Sequence, residues 1–180
     1  MHFTPDGRFG FTPERDQDTV SKIDLAARAL VKTVSFPPGS QPWMLRVSPD
    51  GKYVWVQTGQ ADTNVVLDAD SMAVLQTTAA GKQPVEAAFQ PNNGRYGLVT
   101  HFDDTFVLVL DRQTGKEVTR VELGKPQANA SFAPDGATAF VSVIGGDEVA
   151  VIDMAQLAVV GRIKTGGQPM GLVLLDPSAP

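Results

Sequence analysis

The stretch Ser48–Gly59, "SPDGKYVWVQTG", places a Pro-Asp-Gly turn signal directly before a run that is apolar on both of its faces. A half-buried strand alternates apolar and polar residues, because successive side chains point to opposite sides of the sheet. The segment Tyr53-Val54-Trp55-Val56 does not alternate. We therefore expect this strand to be covered by apolar neighbours on both sides.

The same signal recurs along the chain. Related turn segments begin at Thr4, Ser48, Gln90 and Ala133. Each is followed by an apolar run that ends in an aspartate, at Asp24, Asp68, Asp111 and Asp153, with spacings of 44, 43 and 42. A third anchor, which combines glycine with glutamine and proline, begins at Gly39, Gly81, Gly124 and Gly166. Three separate anchors that keep one period indicate four internal repeats.

Each repeat is predicted to form four short strands. In the second repeat they cover 43–48, 53–57, 64–67 and 72–77, with Gly, Asn, Asp and Pro at the joints. Four-stranded units that repeat every 40 to 45 residues or so are typical of a β-propeller, in which each blade packs between two others. We thus predict an all-β, single-domain propeller over 1–180. Its four antiparallel blades cover about 1–40, 41–83, 84–126 and 127–168, followed by a final inner strand at 169–175.

Three expectations about packing follow from this register. Eight apolar side chains should be buried between blades: Val54, Val56, Leu98, Val107, Val109, Phe132, Val141 and Val151. The four turns that contain the repeated proline should lie at one end of the molecule. The chain starts partway through an inner strand and finishes with another, which predicts an open arc, the last four blades of a propeller of about seven. The alternative is an eight-bladed ring made from two copies.

The segment Ser48–Thr78, "SPDGKYVWVQTGQADTNVVLDADSMAVLQTT", resembles the YVTN repeat of bacterial and archaeal β-propellers, which are related to surface-layer and nitrite-reductase haem-domain propellers. The resemblance extends over essentially the whole chain. The YVTN tetrapeptide itself is not conserved in this chain, where the corresponding segments are "YVWV", "YGLV", "TAFV" and "FGFT". The third repeat also has Asn92-Asn93-Gly94 in its turn. The resemblance implies a repeat class rather than one activity, and it suggests a periplasmic or extracellular location.

Composition narrows the function classes. The net charge is −5 and no lysine or arginine cluster exists, which disfavours nucleic acid and a polybasic membrane contact. No apolar run is long enough to predict a membrane span, and the first residues lack the pattern of a signal peptide. Without cysteine, the chain has neither a disulfide framework nor a thiol nucleophile. No motif for a nucleophile and base or for a phosphate-binding loop is present.

The loops after the second and fourth strand of each repeat should gather at the mouth of the central channel, a common place for ligands. Aspartates recur in these loops at Asp18, Asp62, Asp104 and Asp147. They form either an acidic rim for a cation or a basic peptide, or a set of caps for the turn before the third strand. The caps are the favoured interpretation, because a residue that recurs in every repeat usually belongs to the scaffold.

Residues that do not recur are better candidates for ligand binding. They are Trp43, Arg46, His101 and Asp103, and Asp104 of the same loop joins them as a candidate. The alternatives are a solvated loop position for His101 and blade packing for Trp43. Arg46 should face the channel if strand alternation holds. One histidine with loose carboxylates is a weak metal signal, so neither a metal nor another cofactor is predicted.

We therefore predict a non-catalytic propeller that binds a protein or a small molecule at one end of the channel. Missing blades or a second copy would complete the ring. The alternative is an enzyme or cofactor module, either a lactonase-like metal hydrolase or a haem d1 or quinone-type oxidoreductase domain. That alternative depends on His101 and the acidic rim.

Overall fold

A computed structural model describes residues 1–172, and in them sixteen strands form four antiparallel sheets of four. Blade 1 contains β1 (His2–Phe3), β2 (Phe9–Glu14), β3 (Thr19–Asp24) and β4 (Ala29–Ser35). Blade 2 contains β5 (Pro42–Val47), β6 (Tyr53–Thr58), β7 (Thr63–Asp68) and β8 (Val74–Ala79). Blade 3 contains β9 (Pro84–Phe89), β10 (Tyr96–His101), β11 (Phe106–Asp111) and β12 (Glu117–Glu122). Blade 4 contains β13 (Ala130–Phe132), β14 (Thr138–Val143), β15 (Glu148–Asp153) and β16 (Ala158–Lys164).

This arrangement confirms the all-β propeller fold. Each blade pairs its strands in chain order, from the inner strand to the outer one. In the second repeat, the bounds of the first three strands agree with the prediction to within one residue, whereas β8 covers Val74–Ala79 and not 72–77. Met72 occupies a left-handed turn position with φ 61°, and its side chain is fully packed into the core between blades 1 and 2.

The apolar strand β6 is covered on both faces, as the sequence requires. Val54 and Val56 pack with Phe11 of blade 1, whereas Trp55 belongs to the core shared with blade 3. There the Trp55 ring meets Phe89 edge-on, with ring centroids 4.8 Å apart. The stability of the molecule thus depends on the cores between blades rather than on any core within one sheet.

Seven of the eight side chains expected between blades are buried, and the expectation for Val151 is wrong. Val151 is half-buried because it lies on the outer face of blade 4, which no other described blade covers. Three core clusters join blades 1 and 2, blades 2 and 3, and blades 3 and 4. No such cluster among residues 1–172 joins blade 4 to blade 1, so the blades form an open arc.

The proline-containing turns follow one another around one end of the arc. A Cβ atom on Gly51 would lie 3.1 Å from Pro5, and Asn92 donates a hydrogen bond of 3.0 Å to the Pro134 carbonyl. Pro49, Pro91 and Pro134 line one cavity. Of the predicted final strand at 169–175, residues 169–172 are in no strand and 173–175 lie outside the described residues.

Candidate functional site

The mouth of the channel lies at the end opposite these turns. It is formed by the loops 15–18, 59–62, 102–104 and 144–147, with the joints at 39–42, 81–84, 124–127 and 166–169. Hydrogen bonds connect successive members. The Gln41 amide donates to the Asp18 carboxylate of blade 1 at 2.7 Å, and the Gln41 carbonyl accepts from the Gly59 amide of blade 2 at 3.0 Å. The mouth is therefore built from neighbouring blades, as the repeat register predicts.

Trp43 is the aromatic centre of the mouth. It is half-buried at the start of β5, and the Arg15 guanidinium lies 4.7 Å from the centre of its ring. Phe102 meets the ring edge-on at 5.9 Å between centroids. Arg15 also donates two hydrogen bonds to the Gln41 side chain, at 3.0 and 3.2 Å. Loops of three blades thus hold one partly accessible aromatic ring.

Three aspartates of the mouth loops form hydrogen bonds with the joints that connect successive blades. Asp18, Asp62 and Asp147 each adopt a left-handed backbone, with φ of 54°, 54° and 52°. Their carboxylates accept the amide N–H of Gln41, Gln83 and Gln168 at 2.7, 3.0 and 2.9 Å. Each of these glutamines also has a positive φ. We therefore assign these aspartates to the scaffold, in agreement with the favoured interpretation.

Asp104 does not belong to that set, so the expectation of four equivalent acidic positions is wrong. In blade 3 the equivalent residue is Thr105. Its carbonyl accepts a hydrogen bond from the Leu123 amide, just as the Asp62 carbonyl in blade 2 accepts one from the Ala80 amide. The period of 43 residues from Asp62 also leads to Thr105. Blade 3 has Pro126 where the other joints have glutamine, so the amide donor is missing together with the aspartate. Asp104 instead accepts from the Lys82 amide at 2.8 Å.

Side chains of both charge signs lie on the rim of the mouth. Lys82 donates to the Asp62 carboxylate at 2.5 Å, and Gln83 donates to Asp103 at 2.5 Å. Burial alone would raise the pKa of Asp62, but hydrogen bonds from Lys82 and the Gln83 amide outweigh it and lower the pKa. The same pair raises the pKa of Lys82. The rim therefore carries both signs of charge at neutral pH.

His101 lies beneath the rim and not in a solvated loop, so that alternative is wrong. It is the last residue of β10, its ring is fully buried, and Nδ1 lies 3.0 Å from the Phe106 carbonyl. Burial lowers the pKa of His101, although the Phe106 carbonyl acts in the opposite direction. The imidazole is therefore neutral at neutral pH, and the role of His101 in ligand binding stays a prediction.

Arg46 lies on the channel wall, away from the mouth. At a rise of roughly 3.3 Å per residue, it is about 10 Å further along β5 than Trp43. Its Nε donates to Glu86 of β9 at 3.1 Å, and its Nη2 donates to the same carboxylate oxygen. Asn129, just before β13, donates to the other oxygen of Glu86. His2 of β1 lies 3.1 Å from Nη1 of Arg46.

One polar side chain from each blade therefore contributes to a network along the channel wall, formed by His2, Arg46, Glu86 and Asn129. Of these four residues, the sequence predicted only Arg46 as part of a site. The available signal was Glu86, a charged residue within the otherwise apolar inner strand "PVEAAF". Glu86 is almost fully buried, and a buried carboxylate needs a partner. Burial and the positive charge of Arg46 lower the pKa of His2 to about 4, so His2 is neutral at neutral pH.

The structure thus separates the five predicted site residues into two regions. Trp43, Asp103 and Asp104 lie at the mouth with His101 beneath them, whereas Arg46 belongs to the channel wall. Within residues 1–172, no group of three His, Asp or Glu side chains is arranged to hold a metal ion. A helix long and apolar enough to cross a bilayer is also absent from that part of the chain.

Comparison with known families bears on this arrangement directly. A family model described as YNCE-like beta-propeller matches residues 8–176. The chain belongs to the YNCE-like β-propeller family. Membership in this family agrees with the β-propeller resemblance seen in the sequence, whereas the narrower YVTN assignment stays a prediction. No curated protein sequence matches the chain.

Solved structures share the fold of this YNCE-like propeller at low sequence identity. Hydrazine synthase of Kuenenia stuttgartiensis is 21% identical with a TM-score of 0.81, over 90% of this chain and 47% of that one. Dihydro-heme d1 dehydrogenase NirN, in complex with DHE, is 24% identical with a TM-score of 0.75, over 93% of this chain and 37% of that one. The chain therefore spans less than half the length of these proteins, and the likeness shows the fold alone.

Proposed function

We propose that this protein is a non-catalytic binding module that holds a protein or small-molecule ligand at the mouth of its channel. The observation that carries the proposal is the half-buried Trp43 ring, held between Arg15 and Phe102. Tryptophan and arginine dominate binding energy at interfaces, because they offer large rigid surfaces with polar edges. The charges of Lys82 and Asp103 on the rim of the mouth suit a ligand with polar groups of both signs, such as a polypeptide segment.

The outer face of blade 4 supports a second part of the proposal, that further blades extend the arc. Phe140, Val149, Val151 and Ile163 are 42 residues after Leu98, Val107, Val109 and Val121. The earlier four are buried against blade 4, whereas the later four are half-buried or exposed. Equivalent positions thus form a blade interface on one side of blade 4, and on the other side no blade within residues 1–172 covers them. We propose that they receive a blade of a longer propeller of about seven, with a second copy as the alternative.

Selection from a displayed peptide library tests binding at the mouth. Selected peptides should lose about tenfold or more in affinity for a Trp43→Ala variant, because the central ring is removed. Val118→Ala is the matched control, since Val118 is an exposed apolar residue on the outer strand β12. Peptides that bind Trp43→Ala as tightly as the parent protein would contradict the proposed site.

A further inference from the structure

A cavity of about 490 Å³ lies between blades 1 and 2, on the side of their outer strands. Ser35 at the end of β4 and Val74 of β8 border it, and Thr58 and Thr63 line it from the middle strands of blade 2. Its volume falls in the usual range for small-molecule sites. Trp43 is not part of the lining, so this cavity is separate from the ligand site proposed at the mouth.

The cavity is bordered by a joint that departs from the repeat. Asp18 and Gln41, which a hydrogen bond connects, are 23 residues apart, whereas the corresponding pairs in blades 2 and 4 are 21 apart. The two extra residues belong to the segment 36–40, "FPPGS", all of which lines the cavity. An insertion confined to one repeat often belongs to the binding face of a repeat protein.

A small side chain also stands where blade 3 has a large one. Thr63 occupies the position that Phe106 takes 43 residues later. Between blades 2 and 3, Phe106 fills the space beside the joint, because a Cβ atom on Gly81 would lie 2.7 Å from its Cζ atom. Between blades 1 and 2, a Cβ atom on Gly39 would meet nothing within 4 Å apart from its chain neighbours. The cavity therefore results from two changes in one repeat, a longer joint and a smaller side chain.

Hydrogen bonds hold the longer joint in place. The amide and the hydroxyl of Ser40 both donate to the Pro37 carbonyl, at 3.1 and 2.5 Å. The Gly39 amide donates to the Asp18 carboxylate at 2.7 Å. The cavity is thus formed before a ligand enters, which lowers the entropy cost of binding.

The lining restricts the chemistry of a ligand. None of the thirteen lining residues is charged, whereas 19% of the chain is, so a charged ligand would lose its hydration without meeting an opposite charge. Phe36, Val65 and Val74 supply apolar surface. The hydroxyl oxygens of Thr58 and Thr63 bond to each other at 2.5 Å. A hydroxyl has two lone pairs, so this pair can still accept from a donor on the ligand.

We propose that this cavity binds a small, uncharged ring compound that carries a hydroxyl group. The ring contacts Val65 and Val74, and the hydroxyl donates to the Thr63 oxygen. No covalent step is involved.

Phenol is a suitable probe, because it is neutral at pH 7. We expect it to bind with a millimolar dissociation constant in protein-observed NMR and to shift the amide signals of Ser40, Thr63 and Val74. Benzoate and benzylamine carry a charge and should bind at least about fivefold more weakly. Anisole has no hydroxyl proton and should bind about threefold more weakly or worse. Absence of phenol binding, or equal binding of any of the three comparisons, would overturn the proposal.

A cavity-filling variant links phenol binding to this place. Thr63→Phe introduces the residue that blade 3 has at this position, and it should abolish phenol binding by occupying the space. Thr165→Phe is the matched control, because Thr165 is exposed just after β16 and does not line the cavity. Trp43→Ala should leave phenol binding unchanged, which separates this test from that of the mouth. Unchanged phenol affinity in folded Thr63→Phe would overturn the proposal.

A charge variant tests the uncharged lining without disturbing the core. Val74 is 51% exposed at the edge of the cavity, so Val74→Lys adds a cation there while the blade interface stays intact. Benzoate affinity should rise about threefold or more, because the carboxylate then meets an opposite charge. Val118→Lys is the matched control on the outer strand β12 and should leave benzoate affinity unchanged. Equal benzoate affinities in the two variants would contradict the assigned site.

Discussion

The Oδ1 atom of Asp62 lies 3.0 Å from the backbone nitrogen of Gln83, and both residues have a left-handed backbone. The same pairing joins Asp18 to Gln41 and Asp147 to Gln168. Blade 3 alone has Thr105 and Pro126 at these two positions. Since proline has no amide hydrogen, an aspartate at position 105 would find no N–H donor at position 126. The two departures from the repeat therefore have one physical cause.

This pairing predicts a non-additive pair of substitutions in blade 3. Thr105→Asp alone should not stabilise the protein, and Pro126→Gln alone should cost stability because it raises the conformational entropy of the unfolded chain. The double variant should recover about 1 kcal/mol relative to the sum of the single changes, because the hydrogen bond can then form. Urea denaturation of all four proteins measures this coupling. A coupling energy indistinguishable from zero would contradict the assigned role of the aspartates.

The close approach of Gly97 to Trp55 predicts a steric effect. A Cβ atom on Gly97 would lie 2.5 Å from Cη2 and Cζ3 of the Trp55 ring, which is fully buried. Gly97→Ala should therefore destabilise the protein by about 1–3 kcal/mol. Gly161→Ala is the matched control in a strand, because its nearest neighbour would be 3.7 Å away. Thermal melts in which both variants behave alike would contradict the packing between blades 2 and 3.

The buried histidines predict a dependence of stability on pH. The pKa values of His2 and His101 are both lowered by burial, so the unfolded chain binds more protons than the folded one below about pH 6.5. The free energy of unfolding should therefore fall as the pH decreases from about 7 to 5, by at most about 1.4 kcal/mol per pH unit for each histidine. The double variant His2→Gln with His101→Thr should lose this slope. A slope that persists in the double variant would show that the histidines do not cause it.

The apolar face of blade 4, which no other blade in residues 1–172 covers, predicts association of the isolated chain. Apolar blade faces of this kind pair readily in water. We expect light scattering to show a mass above that of one chain, and Val151→Ser with Ile163→Ser to lower it. Val74→Ser with Leu75→Ser serves as the control, because these residues are about as exposed as Ile163 and more exposed than Val151 but lie on the outer strand β8. An equal loss of association in the control would contradict a role for the blade 4 face.

The fold was predictable because its determinants are local and repeated. Turn residues and two-faced apolar strands recur at one period, and the cores between blades follow from that register alone. Val151 was mispredicted because burial also depends on which blade comes next, and the repeat pattern does not contain that information. Asp104 was mispredicted because it is an acidic residue one position before the true repeat position, so it was taken for the repeated aspartate. The backbone hydrogen bonds show that Thr105 occupies that position.

The site was less predictable, because it depends on contacts between distant repeats. Trp43 and Asp103 were recognised by their lack of counterparts, and both lie at the mouth. Arg15, which contacts Trp43, comes from blade 1, and Gln83, which binds Asp103, lies in the joint twenty residues earlier in the chain. Glu86 was missed because nothing in the local sequence shows that Arg46, forty residues earlier, faces it across two inner strands.

Accessibility of Trp43 tests the central claim, binding at the mouth, most directly. The chain has two tryptophans, and Trp55 is fully buried, so in a Trp55→Phe variant the fluorescence comes from Trp43 alone. We predict that a peptide selected for binding shifts this emission and lowers quenching by acrylamide in proportion to the bound fraction. Saturated binding with unchanged emission and unchanged quenching of Trp43 would contradict a ligand site at the mouth.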